Sequence, residues 1–337
     1  MMAKESPMKS YKHLSLCIAL LFLCNVSFAQ QSKLNWYPFD KDFINTQYSD
    51  SAIGELAAKQ AHAAKNVHTE SCGGNDAELH IGMTLNEVRL PNIQMPLSVP
   101  LKASDKGWGI VAELPNANLS DGPAKFAKLN GKAVTFTGYF RVWDEGHAVG
   151  AVHPSNPHHV FEVHPAWGFR GSGVNYMRED LVASMDSYRG YGATKFKPLL
   201  KAISDGRWPL AYQDDVRLYL GLSKDQNFYQ LPVEVKAITK VSGGHEVTLD
   251  VYSDKDISKL VYSGLTAITV TGSPIDKALK VGQKEFLLGF FSVNLKKALE
   301  ASDGADSPQE AKVVKDAVEF FVFGYALKSA VTSCSSH

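Results

Sequence analysis

The sequence predicts a mainly β chain with some helix (α+β): a small antiparallel barrel, a helical middle segment and a second β-rich domain. Three observations carry that prediction. Short runs near both ends alternate apolar and polar residues with a period of two; the middle places apolar residues at mixed helical spacings; and 337 residues exceed what one core ordinarily serves.

The first 29 residues read as a secretory signal, with Met8 an alternative start to Met1. Lys9, Lys12 and His13 precede an apolar stretch from Leu14 to Leu23, and Ser27-Phe28-Ala29 forms a small-residue cleavage pattern before Gln30. The stretch is shorter than the roughly 20 apolar residues of a membrane span, so no span is expected after signal removal. The expected location is periplasmic or secreted. Cys17 and Cys24 would leave with the signal, and the remaining pair, Cys72 and Cys334, is expected to form a disulfide in an oxidising compartment.

Residues 30–70 form a lead-in segment. Its SAIGELAAKQAHAAKNVH run is rich in helix-favouring residues and predicts a helix. Residues 71–172 carry the first barrel. Leu79, Ile81, Met83 and Leu85 alternate with polar or small neighbours; WGIVAELP gives a second strand; and KAVTFTGYFRVWD gives a third. In that third strand Val134, Phe136, Phe140 and Val142 share one face, while Thr135, Thr137, Tyr139, Arg141 and Trp143 share the other. HHVFEVHPAWG closes the set, with Glu162 and His164 on one face and His159, Phe161 and Val163 on the opposite one. Residues 173–225 are the expected helical connection. Residues 226–337 return to strands, among them YQLPVEVKAITKV, GHEVTLDVYSD, LTAITVTGS and VEFFVFGYAL. Val134–Gly138 echoes Ile268–Gly272, which a duplicated barrel or plain β-branched alternation would explain.

Charge excludes a general nucleic-acid binder. The 35 basic residues match 35 acidic ones; without Lys4, Lys9, Lys12 and Glu5 the balance is 32 against 34, a net charge of −2. Signatures of familiar enzymes are missing: there is no G-x-S-x-G elbow, H-E-x-x-H helix, phosphate-binding loop or dinucleotide fingerprint. That favours binding over catalysis.

Residues 147–164 gather five of the eleven histidines beside Glu162. Neutral imidazole is the commonest protein ligand for transition metals. Glu162 and His164, two apart on a strand, project from the same face, and His80 occupies the polar face of another strand. If those strands are neighbours, His80, Glu162 and His164 converge, with His147 or His153 reaching in from the loop. Such a set would hold a divalent transition metal, zinc first among them. Glu162 and His164 could equally serve structure alone, or act as a metal-free acid–base pair. Tyr139, Arg141 and Trp143 form a second candidate, an aromatic and basic stripe suited to a small molecule or glycan unless another part of the chain covers it.

The order ELHIG, VAELP, GKAVTFTGYFRVWDEGH, FEVHP resembles a group of uncharacterised bacterial exported proteins with an OB-like domain and a Glu-Leu-His-Pro strand. The resemblance covers residues 77–167, about a quarter of the chain, through Glu78, His80, Thr137, Gly138, His147, Glu162, His164 and Pro165. Val163 departs from the usual Leu or Ile, and His153, His158 and His159 are additional. The resemblance implies an OB-like barrel with a shared site. The expected function is an exported binding module with a His/Glu site able to hold a divalent metal. The alternative is a metal-dependent hydrolase of phosphodiesterase or nuclease type using the same residues.

Overall fold

The computed structural model describes residues 34–47, 53–64, 78–84, 88–89, 109–114, 117, 122–145, 153–177, 196–225 and 228–325. The signal segment, Cys72, Cys334 and His147 lie outside the described residues. In chain order the elements are β1 (Asn35–Asp40), α1 (Lys41–Gln47), β2 (Ile53–Ala58), β3 (His62–Ala63), β4 (Leu79–Thr84), β5 (Val88–Arg89), β6 (Gly109–Leu114), α2 (Gly122–Ala127), β7 (Val134–Val142), β8 (Phe161–Gly171) and β9 (Val174–Met177). There follow α3 (Phe196–Ser204), β10 (Leu210–Gln213), β11 (Arg217–Leu222), β12 (Phe228–Val241), β13 (Gly244–Tyr252), β14 (Leu260–Val270), α4 (Pro274–Ala278), β15 (Lys284–Val293), α5 (Leu295–Ala301), β16 (Lys312–Val313) and β17 (Val318–Tyr325). The chain is thus mostly β with minor helix.

The second β unit is a closed barrel in the order β12-β13-β14-β17-β15. Its third and fifth strands, β14 and β17, run parallel, and α4 lies between the third and fourth. The 14-residue β12 closes it: Phe228–Glu234 pair with β15, while Val233–Val241 pair with β13 across an irregularity at Val235/Ala237. Such an irregularity bends a strand enough to serve two neighbours.

The first unit runs β3-β4-β6-β8-β7-β2-β5, with β9 on β8. β3 pairs with β4 while β2 pairs with β5, so the consecutive pieces β2/β3 and β4/β5 meet at both ends of the sheet. Counting each couple as one broken strand, the pairing order is again first, second, third, fifth, fourth, first. The third and fifth strands, β6 and β8, are parallel, and α2 lies between the third and fourth. The two units therefore repeat one topology. The sequence echo does not reflect this repeat: Val134–Gly138 lies in a fourth strand, β7, whereas Ile268–Gly272 leaves a third strand, β14.

Two sequence expectations are corrected. The helix-favouring run after residue 51 forms β2, because Ile53–Ala58 pair along the full length of Val134–Tyr139 and bury Leu56 and Ala58. Sheet pairing with burial outweighs helix propensity of a few tenths of a kcal/mol per residue. The expected helical connection contains α3, which buries Phe196, Leu199, Leu200 and Ile203, but also β9, β10 and β11. β10 and β11 join β1 and β16 in a small separate sheet, β1-β11-β10-β16.

The two β units pack face to face. Phe161–Phe169 of β8 are all buried, because one face of the strand meets its own unit's core and the other meets the second barrel. At that seam the Tyr139 ring lies 4.3 Å from Phe321 and its hydroxyl donates to Glu319 Oε2 at 3.1 Å. Trp143 stacks on Phe291 at 5.9 Å, and the Val142 N–H donates to Ser292 Oγ at 3.0 Å. Contact is close on the barrel side too. A Cβ on Gly289 would stand 2.1 Å from Phe321 O and 2.8 Å from the Phe320 ring. Gly289→Ala is therefore expected to destabilise the protein by about 1–3 kcal/mol, the usual range for overpacking, read as a lower urea midpoint at unchanged m-value.

Candidate metal centre

Strand register assembles the site on one face of the first sheet. On β4 and β6, His80 stands directly opposite Glu113. The parallel pairing of β6 with β8 aligns Val111 with Glu162, so two residues further on Glu113 comes beside His164. On β7, Arg141 stands opposite Glu162. Glu78 precedes His80 by two and shares its face. His159 arrives from the turn before β8, where its ring folds back onto Glu162 three residues later.

The outcome is eight ionisable groups in one buried patch: Glu78, Glu113, Glu145 and Glu162 among His80, Arg141, His159 and His164. His164 and Arg141 are fully buried, and His80, 8% exposed, lies at the edge. His164 is the hub. Its Nε2 is 3.1 Å from Glu78 Oε1, and its Nδ1 is 3.0 Å from Glu113 Oε2 and 3.2 Å from Glu162 Oε2. With carboxylate oxygens at both nitrogens, the ring donates from both and is an imidazolium. Arg141 donates to Glu162 Oε2 at 3.1 Å, to Glu145, and through Nε to Phe291 O at 3.1 Å, which joins the patch to the second barrel. Its guanidinium also lies over the Phe290 ring at 4.3 Å.

Mutual electrostatics decide the protonation states. Burial would raise Glu78, but His164 and His80 beside it bring its carboxyl down to about 2. Burial opposes Glu162 in the same way and is overcome by Arg141, His159 and His164, which hold it well below the carboxylate range. Glu113 goes up, because burial, with Glu162 and Glu78 nearby, outweighs His164 and His80. Burial pushes Glu145 up to about 7 despite Arg141. For His80 burial works downward, yet Glu113 and Glu78 raise it to about 9; carboxylates raise His164 and His159 likewise. Such displaced values mark functional sites more often than ordinary surfaces.

Among the described residues, two groups of three have ligand atoms within 4.8 Å of one another, as one ion requires: Glu78, His80 and Glu113, and Glu113, His159 and Glu162. In the first, His80 Nε2 is 3.5 Å from Glu113 Oε1 and 4.0 Å from Glu78 Oε2. These are long for hydrogen bonds. They approach the edge of a tetrahedron around an ion with bonds near 2.1 Å, about 3.4 Å.

The residues expected from sequence divide clearly. His80, Glu162 and His164 do come together, though Arg141 occupies one oxygen of Glu162 and both nitrogens of His164 are taken by carboxylates. His153 is exposed, bonds Ser155 Oγ at 2.7 Å, and stays out of the patch. Tyr139, Arg141 and Trp143 are not a ligand surface, because the second barrel buries all three. Glu113 and His159 join the patch although alternation alone places neither of them in it. The alternation in VAELP marks Glu113 as facing away from Ala112 and Leu114, but its partner strand is parallel and distant in sequence. His159 lies before β8 begins, so strand alternation, which set it opposite Glu162, does not govern it.

No protein-family model and no curated protein matches the chain. Among solved structures, one described as "Molecular basis for abrogation of activation of pro-inflammatory cytokines" aligns over 78% of this chain and 94% of its own. At 11% identity and a TM-score of 0.16 the likeness carries no argument.

Proposed function

We propose that the protein is an exported binding module that holds a divalent transition metal, zinc by preference, through Glu78, His80 and Glu113. The observation that carries this is the spacing just described: one imidazole nitrogen and two carboxylate oxygens gathered within 4.8 Å of one another, close to the separation that a shared ion imposes. His164 supports the same reading from behind. By bonding Glu78 Oε1 and Glu113 Oε2 it leaves the opposite oxygen of each carboxylate directed at His80. Partners of this kind orient metal ligands and raise affinity. One imidazole and two carboxylates suit a borderline cation.

Burial favours holding an ion over turning over a substrate. Glu78 and Glu113 are each 2% exposed, which leaves little approach for a phosphodiester. The first-second-third-fifth-fourth order of both β units, with parallel third and fifth strands, supports reading them as OB-like barrels. Export rests on the signal-like first 29 residues.

Elemental analysis of the purified full chain tests the proposal. Metal is expected in the wild type, and the ion held by Glu78, His80 and Glu113 is expected to be lost in His80→Gln and in Glu113→Gln, with folding followed by circular dichroism. Metal content unchanged in both folded variants would reject the site. Hydrolysis of a generic phosphodiester, lost on metal removal, would replace the binding role with the hydrolase reading.

A further inference from the structure

The second ligand group shares a residue with the first. Glu113 belongs to both, facing His80 with Oε1 and the interior with Oε2. Beside that carboxylate, His159 and Glu162 complete the second group as His80 and Glu78 complete the first. We propose that the patch is a dinuclear centre, with Glu113 bridging an outer divalent ion held by Glu78 and His80 and an inner one held by His159 and Glu162. This rests on the metal reading above and extends it from one ion to two.

His159 carries the argument. Its Nδ1 is 2.7 Å from Pro157 O, and a carbonyl only accepts, so Nδ1 holds the proton. In the neutral ring Nε2 is then the lone-pair nitrogen, and it faces Glu162 Oε1 at 3.2 Å. Two acceptors directed at each other need positive charge between them, either a proton or a metal ion. A histidine whose far nitrogen donates to a backbone carbonyl is the arrangement metal-ligating histidines adopt.

The turn that delivers His159 is clamped for the purpose. A Cβ on Gly82 would lie 2.2 Å from Pro154 O, and one on Gly109 would lie 2.2 Å from Pro157 Cγ; the Gly109 N–H donates to His158 O at 2.8 Å. β4 and β6 thus grip the turn at the two glycines beside the strands that carry Glu78, His80 and Glu113. Arg141 takes Glu162 Oε2 and leaves Oε1 toward His159. Sites of this class keep their ions about 3.5–4 Å apart, a span one carboxylate bridges.

Chelator-stripped full chain titrated with Zn²⁺ by calorimetry, with metal content measured after gel filtration, tests this. Two zinc ions per chain are expected in the wild type, falling to one in His159→Gln and to one in His80→Gln. A single ion in the wild type, lost in His80→Gln, overturns the dinuclear centre while leaving the proposed function standing. No bound zinc in the folded wild type overturns both. The wild-type count needs no variant to fold.

Discussion

His164→Ala is expected to lower the stability of the metal-free protein by about 3–5 kcal/mol, the range for removing one partner of a buried ion pair. The mechanism is the charge left behind. The ring satisfies oxygens of Glu78, Glu113 and Glu162 from a position fully shielded from water, with Phe228, Phe290 and Phe323 of the second barrel around it. Alanine removes both donors and leaves three carboxylates facing a void. His164→Gln retains one donor group and should recover part of the loss. Urea unfolding of both variants in chelator measures the effect, and a change below about 1 kcal/mol for alanine would show that the carboxylates are satisfied without the ring.

Arg141→Met should cost a similar amount, about 3–5 kcal/mol, for a different reason. Methionine keeps much of the apolar stem, so the loss isolates the guanidinium, which lies over the Phe290 and Trp143 rings. That group pairs with Glu162 and Glu145 and reaches across the seam to Phe291 O. Adding Glu162→Gln removes a charge that has lost its guanidinium partner and keeps only His159 and His164, so the double variant should be more stable than the sum of the two singles implies, by a coupling of about 1–3 kcal/mol. Strict additivity in a double-mutant cycle would contradict the pairing.

Strand alternation made much of the architecture legible. The patterns around Leu79, Ile110, Phe136 and Phe161, and those of the second unit, correspond to β4, β6, β7, β8, β12, β13, β14, β15 and β17. What alternation cannot encode is which strands adjoin. His80, Glu162 and His164 met because each sits at a polar position on its strand, but Glu113 enters through the parallel pairing of β6 with β8, and no local signal announces that. The same blindness affected Tyr139, Arg141 and Trp143. A polar or aromatic face reads as exposed until something covers it, and here a whole second barrel does. The segment from Ile53 misled in the opposite sense, since its alanines favour helix and only the β7 partner makes it a strand.

The repeated topology suggests two independent modules, yet the seam denies them independence. Arg141 and His164 belong to the first unit, but Phe291 O and the ring wall of Phe228, Phe290 and Phe323 that shield them come from the second. Excising the second unit would open the first unit's ionised interior to solvent and strip the insulation that makes its attractions strong. The two units therefore fold as one electrostatic body, and neither can be traded away alone.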